Sequence, residues 1–180
     1  EAIVDETTGV NDGELQNHLY FKFWADDGDN VYEQGEKIFK YGLAKDLFNG
    51  DNWALSDSVL NIWGGAPTPL PANSTRYIGK AWCFGDMDHA PVPQDGLGKT
   101  GSNGPLVRGT GFTCNGANVG NIVQSDGIKA DVSFSVAQSR SNGSYKCSGG
   151  DYTPPPSSTS TLFSDDFGGS WCQKGKEFNS

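Results

Sequence analysis

The densest chemical signal in the sequence is the run Trp24-Ala-Asp26-Asp27-Gly28-Asp29-Asn30-Val-Tyr32-Glu33-Gln-Gly35-Glu36, which places five carboxylates and an Asn within eleven residues. Carboxylates packed this closely raise one another's pKa unless a cation sits among them. Calcium takes about six to eight oxygens, and a short loop of alternating Asp and Asn closed by a Glu supplies them. The predicted ligands are the side chains of Asp26, Asp29, Asn30, Glu33 and Glu36, with the backbone carbonyl of Tyr32. Gly28 and Gly35 would let the chain bend around the ion. The loop is not an EF-hand, because the turn glycine sits at the wrong offset and flanking helices are missing. The competing reading is a solvated acidic turn between two strands.

Other chemistry is sparse. The sequence has no Gly-x-Ser-x-Gly, no His-Glu-x-x-His and no phosphate-binding loop. Its two histidines, His18 and His89, are far apart, and nothing among the 22 acidic residues singles out a catalytic pair. The chain is therefore read as a non-enzyme. Of its five tryptophans, Trp53 and Trp63 flank loops and are the candidates for stacking on sugar rings, which would suit a polysaccharide partner. Asn73-Ser-Thr75 and Asn142-Gly-Ser144 match the glycosylation sequon, making Asn73 and Asn142 candidate acceptors.

Four cysteines, Cys83, Cys114, Cys147 and Cys172, are spread at wide intervals with no Cys-x-x-Cys pair. An even count in a Gly-rich acidic chain reads as disulfides formed outside the cell. Four cysteines allow three pairings. The favoured bridge is Cys83 to Cys114, because both flank one long loop, with Cys147 and Cys172 as the candidate second pair. The net charge of -9, from 13 basic and 22 acidic residues, argues against nucleic acid, whose binding requires basic surface. No stretch approaches the ~20 apolar residues of a membrane helix.

The elements that must hold the acidic loop are strands. Leu19–Trp24 is rich in aromatics and Lys37–Leu43 is its natural antiparallel partner. A helical turn is expected over Ala44–Phe48 and a short strand over Ser58–Trp63. Thr75–Phe84 reads as a strand interrupted only by Gly79. Lys129–Gln138 alternates apolar and polar residues, as a half-buried strand does. Between these two lies Asp86–Gly120, a Gly/Pro/Asn-rich loop long enough to be functional. With 25 Gly, 9 Pro and no sizeable amphipathic helix, the fold class is all-β, an antiparallel β-sandwich of jelly-roll type. The expected organisation is a β-sandwich domain over 1–150, a Pro/Ser/Thr linker over 151–162, and a tail or the start of a further domain over 163–180.

Several of these segments, taken in order and spacing, carry a resemblance. Phe21 to Glu36, Leu60-Asn-Ile-Trp-Gly64, Thr75 to Gly85 and Ala130 to Ser135 resemble camelysin/TasA-like secreted proteins of uncultured bacteria, exported with a SipW-type signal peptide. The acidic loop is also similar to the calcium loops between strands in B-type repeats of bacterial surface adhesins. The resemblance implies a jelly-roll-like fold, secretion to the cell surface and assembly into surface or biofilm-matrix fibres. Camelysin is classed as a metalloprotease, but no matching ligand motif is present here, so that activity is not carried over. The resemblance implies N-terminal strands that this sequence does not contain, so the expectation is an open sheet edge filled by strand exchange from a neighbouring subunit, through Glu1–Gln16 or Pro154–Phe163, with Thr159–Phe163 the better donor. The alternative is a calcium-stabilised carbohydrate-binding or adhesive module of a larger surface protein.

Overall fold

The structure is a computed structural model that describes residues 13–120, 123 and 126–147, together with the backbone of 169–175. Among the described residues its regular elements are mostly strands in antiparallel sheets with few helices, and the chain divides into two compact units. Of the described residues, the first holds those of 13–51 and 76–131 with Gly175, and the second holds those of 52–75, 132–147 and 169–174.

In the first unit a single 3-10 turn (Leu15–Asn17) leads into β1 (Leu19–Asp26), the centre of a three-stranded sheet. β2 (Lys37–Leu43) lies on one side of it and β4 (Tyr77–Phe84) on the other. The pairing of β1 with β4 is unbroken from Leu19↔Phe84 to Asp26↔Tyr77, whereas that with β2 slips between Phe23 and Trp24. The aromatic run predicted as a strand is thus central, and both its faces are covered. Successive side chains point to opposite faces. Phe21 and Phe23 meet the ring of Phe48, just beyond the helical turn α1 (Ala44–Leu47), in edge-on contacts at 5.1 and 6.4 Å.

Trp24 points the other way and is fully buried. Tyr32 packs on it at 5.9 Å and Phe112 at 5.4 Å, and these two rings stack on each other at 4.8 Å. Phe112 comes from the segment read as one long loop. That segment folds into β5 (Asp86–His89), the short helix α2 (Pro105–Arg108) and β6 (Phe112–Asn115), with β5 and β6 paired antiparallel. The predicted disulfide between Cys83 and Cys114 is present and ties β6 back to β4. Lys22 lies beneath the segment, its ammonium donating to the Met87 carbonyl at 2.9 Å and sitting 5.2 Å from the Phe112 ring centre. Burial lowers the Lys22 pKa, opposed by the charge of Asp88.

The second unit contains β3 (Asn52–Ser56), which pairs antiparallel with β8 (Gly169–Gly175), and β8 is flanked on its other side by β7 (Val132–Gln138). Trp53, Leu55, Ile62 and Leu70 are buried. The strand expected over Ser58–Trp63 does not form. The buried Asp57 carboxylate accepts hydrogen bonds from the amides of Val59 and Leu60 at 2.8 and 2.9 Å, and Asn61 does the same for Trp63 at 3.1 Å. Side chains that capture nearby amides offer the backbone a turn in place of a ladder. Alternation also overstated the burial of β7. The strand forms, but Val132 and Phe134 are exposed.

Gly79 shows how closely the first unit is packed. A β-carbon built there would lie 2.0 Å from the Trp24 ring, so the indole occupies the space that any other residue would need. Overpacking a filled core costs roughly 1–3 kcal/mol. Gly79→Ala is therefore expected to destabilise the protein by ~3 kcal/mol in urea unfolding. Gly101→Ala, where the added methyl meets nothing within 4 Å, serves as the neutral control.

Candidate metal centre

The acidic loop begins where β1 ends. Asp26 turns inward, accepting the Trp24 indole N–H at 2.9 Å on one oxygen and the amides of Gly28 and Asn30 at 2.8 and 3.1 Å on the other. Asp29 accepts the Val31 amide at 2.8 Å. Glu36 closes the loop by accepting the amides of Asp27 and Glu33 at 3.1 and 2.8 Å. The acids thus shape the loop by satisfying backbone N–H groups that a tight turn would leave unpaired.

This shaping brings carboxylates together in two groups that share Asp27. One is Asp26, Asp27 and Glu36, and the other is Asp27, Asp29 and Glu33, each offering ligand oxygens within 4.8 Å of one another. Two oxygens that each lie ~2.4 Å from one calcium ion can be at most about twice that apart, so each group is close enough to hold an ion. Asp29 and Glu33 have fully buried side chains. Two oxygens, Asp27 Oδ1 and Glu33 Oε2, are buried without a hydrogen-bond partner. A buried, unpaired carboxylate oxygen is costly. Hard oxygen donors with unused lone pairs are the donor set that calcium requires, so these residues fit the ion.

Of the six predicted ligands, Asp26, Asp29, Glu33 and Glu36 fall within the two groups. The side chain of Asn30 turns to β4, accepting the Lys80 amide at 2.8 Å. The Tyr32 carbonyl accepts the Val92 amide at 3.2 Å. Asp27, which sequence reasoning left out of the ligand set, is common to both groups.

The sequence reading also missed what the segment between β5 and β6 brings. The Arg108 guanidinium sits 3.0 Å from both Asp29 Oδ2 and Asp95 Oδ2, and it donates to Glu33 Oε1. Its second nitrogen donates to the Pro93 carbonyl at 2.5 Å. The Glu33 hydrogen bond raises the Arg108 pKa further above its already high value. Asn103 lies beside this group, donating to the Gly98 carbonyl at 2.6 Å and more weakly to Asp29 and Asp95 at 3.4 Å. One available signal was that Lys99 and Arg108 are the only fixed cations in Asp86–Gly120.

Elsewhere, Trp53 is buried and Trp63 half-buried, while Trp82, which was not proposed for sugar stacking, is 61% exposed. Asn73 and Asn142 are both exposed. Cys147 is disulfide-bonded, and the side chain of Cys172, its expected partner, lies outside the described residues. Comparison with protein-family models, with curated proteins and with solved structures found no match.

Burial pushes the Glu36 pKa up from 4.5 to about 7, and it raises Asp26 as well. The folded protein then holds protons that the unfolded chain has released. The stability from this source is present at low pH and is lost as pH rises from about 4.5 to about 7. In chelator, the melting temperature at pH 5.5 relative to pH 7.5 is expected to be higher for the wild type than for Glu36→Gln. Differential scanning fluorimetry checks this, and an identical pH dependence in both proteins would contradict it.

Proposed function

We propose that this chain is a calcium-stabilised structural or adhesive module of an extracellular surface assembly, with no catalytic role. The observation that carries the reading is the group of half-buried Asp27 with buried Asp29 and Glu33, in which two buried oxygens lack partners. Six carboxylates gather there, those of Asp26, Asp27, Asp29, Glu33, Glu36 and Asp95, against the one guanidinium of Arg108. A divalent ion would supply the missing positive charge among the carboxylates of the loop after β1. The Cys83–Cys114 bridge supports an oxidising, extracellular setting. The resemblance to camelysin/TasA-like secreted proteins supports it as well. The sandwich or jelly-roll closure of the sheets belongs to the same proposal. For a polysaccharide partner, exposed rings among the described residues include Trp82, Tyr41 and Phe134.

A site made only in the folded state stabilises by mass action, by about 2.7 kcal/mol at a hundredfold excess of ligand over Kd. Calcium is therefore expected to raise the melting temperature of the wild type, and Glu33→Gln should abolish the rise. An unchanged melting temperature at millimolar calcium would reduce the loop to a charged turn.

A second reading, a fibre subunit joined by strand exchange, is favoured by the sheet β2-β1-β4. Among the described residues neither β2 nor β4 has a neighbour on its outer side. An unpaired edge is a template for a strand from another chain. Lys37 and Lys40 on β2, and the slip beside Phe23, are features that limit such pairing. The expected donor, Thr159–Phe163, lies outside the described residues. Leu162→Pro is expected to abolish filaments in electron micrographs while leaving the monomer folded. Filaments unchanged by this substitution would remove the mechanism.

A further inference from the structure

We propose that Arg108 is an internal competitor for the cation site, so that a divalent ion entering it displaces the guanidinium and frees the α2 segment. The proposal rests on the calcium reading above and adds what must leave when the ion arrives. The site is more than a cluster of acids. Glu33 is 0% exposed, and its Oε2 has no partner.

The competition follows from how the oxygens are used. Glu33 Oε2 and Asp27 Oδ1 are free to take an ion without disturbing anything. Asp29 is not. Its Oδ1 is held by the Val31 amide, and its Oδ2 by Arg108 at 3.0 Å. Asp29 Oδ1 keeps one lone pair beside the Val31 amide, whereas an ion bound through Oδ2 must compete directly with the guanidinium. Glu33 Oε1 is engaged by Arg108 as well. A divalent ion bonded to these carboxylates would stand within a few ångströms of a fixed positive charge, in a site largely closed to water, where like charges repel strongly.

Little else restrains the segment that carries Arg108. α2 is one turn long, and its Leu106 and Val107 are exposed, Leu106 completely. Among the described residues, α2 is tied to the rest of the unit by the Arg108 side chain and by the half-buried ring of Pro105, which lines a cavity with Trp24 and Phe112. Firm anchors stand on either side. Asn103 is buried, with its side chain bonded to Gly98 and Thr100. On the far side the Thr110 carbonyl accepts the Tyr32 amide at 3.0 Å, and the Gly111 carbonyl accepts the Ala90 amide at 2.9 Å. Gly111 could not move far, since it packs so closely on the Tyr32 carbonyl that a β-carbon would lie 2.1 Å from it. Movement is thereby confined to Gly104–Gly109, a stretch with glycine at each end and Gly109 at φ 86°.

Two measurements on the full chain test this. Isothermal titration with calcium chloride compares the wild type with Arg108→Gln and Arg108→Lys. Removing a competing charge should tighten calcium binding by about ten-fold in Arg108→Gln, within the usual range of coupling between two ligands, and leave Arg108→Lys close to the wild type. Limited trypsin digestion of the wild type then follows the Arg108–Gly109 bond by mass spectrometry, which needs no variant to fold. Cleavage there should be faster in calcium than in chelator. If the wild type binds calcium, but Arg108→Gln binds no more tightly and calcium does not speed the cleavage, the guanidinium and the ion share the site and the competition is refuted. If no protein binds calcium, the calcium reading fails and takes this proposal with it.

Discussion

Burying Asp29 and Glu33 at the end of the central strand sets the terms for the rest of the first unit. Ionised carboxylates removed from water need a partner, and breaking a buried pair costs roughly 3–5 kcal/mol. Arg108 meets part of that need, and it comes from 75 residues further along the chain than Glu33. The segment between β5 and β6 is therefore not a free loop. It must return to the acidic turn to place its guanidinium, and in doing so it lays Phe112 over Trp24 and Tyr32. Charge compensation and aromatic packing call for the same chain path.

The disulfide and the buried Lys22 reinforce that path from the other end. Cys114 on β6 is bonded to Cys83 on β4, and Met87 opposite it on β5 accepts the Lys22 ammonium. A cross-link over a separation of 31 residues restricts the unfolded chain, worth roughly 3–4 kcal/mol in the chain-entropy view. The first unit is thus fastened at its disulfide and at its ion network, with the stacked rings between them. The α2 turn, with Leu106 and Val107 in solvent, lies at the margin of this packing and hangs on the ion network and the ring of Pro105.

What the sequence revealed and what it hid follow from range. The pairing of β1 with β2, the helical turn at Ala44 and the strand ending at Phe84 are written in local pattern, and the structure contains all three. Ser58–Trp63 misled because Asp57 and Asn61 capture amides, an interaction that propensity does not register. Gly79 read as an interruption, yet it is the one residue that lets Trp24 lie against β4. The acid-rich loop was legible as a cluster, since its acids are neighbours in sequence. Its counter-charge was not, because nothing local links Arg108 to Asp29 or Glu33. Asp27 escaped for a different reason. An alternating ligand pattern counted from Asp26 passes over Asp27, whereas in the fold Asp27 belongs to both carboxylate groups.

These carboxylates are proposed to form a cation site rather than a charged turn. Trp24, whose indole donates directly to Asp26, provides a built-in reporter. Terbium binds where calcium does, and it emits when excited through a nearby tryptophan or tyrosine. Sensitised terbium luminescence should therefore appear on titration, saturate, fall when calcium is added in competition, and be lost in Glu33→Gln. Absence of sensitised emission from the folded wild type, or emission that calcium does not displace, would contradict the account.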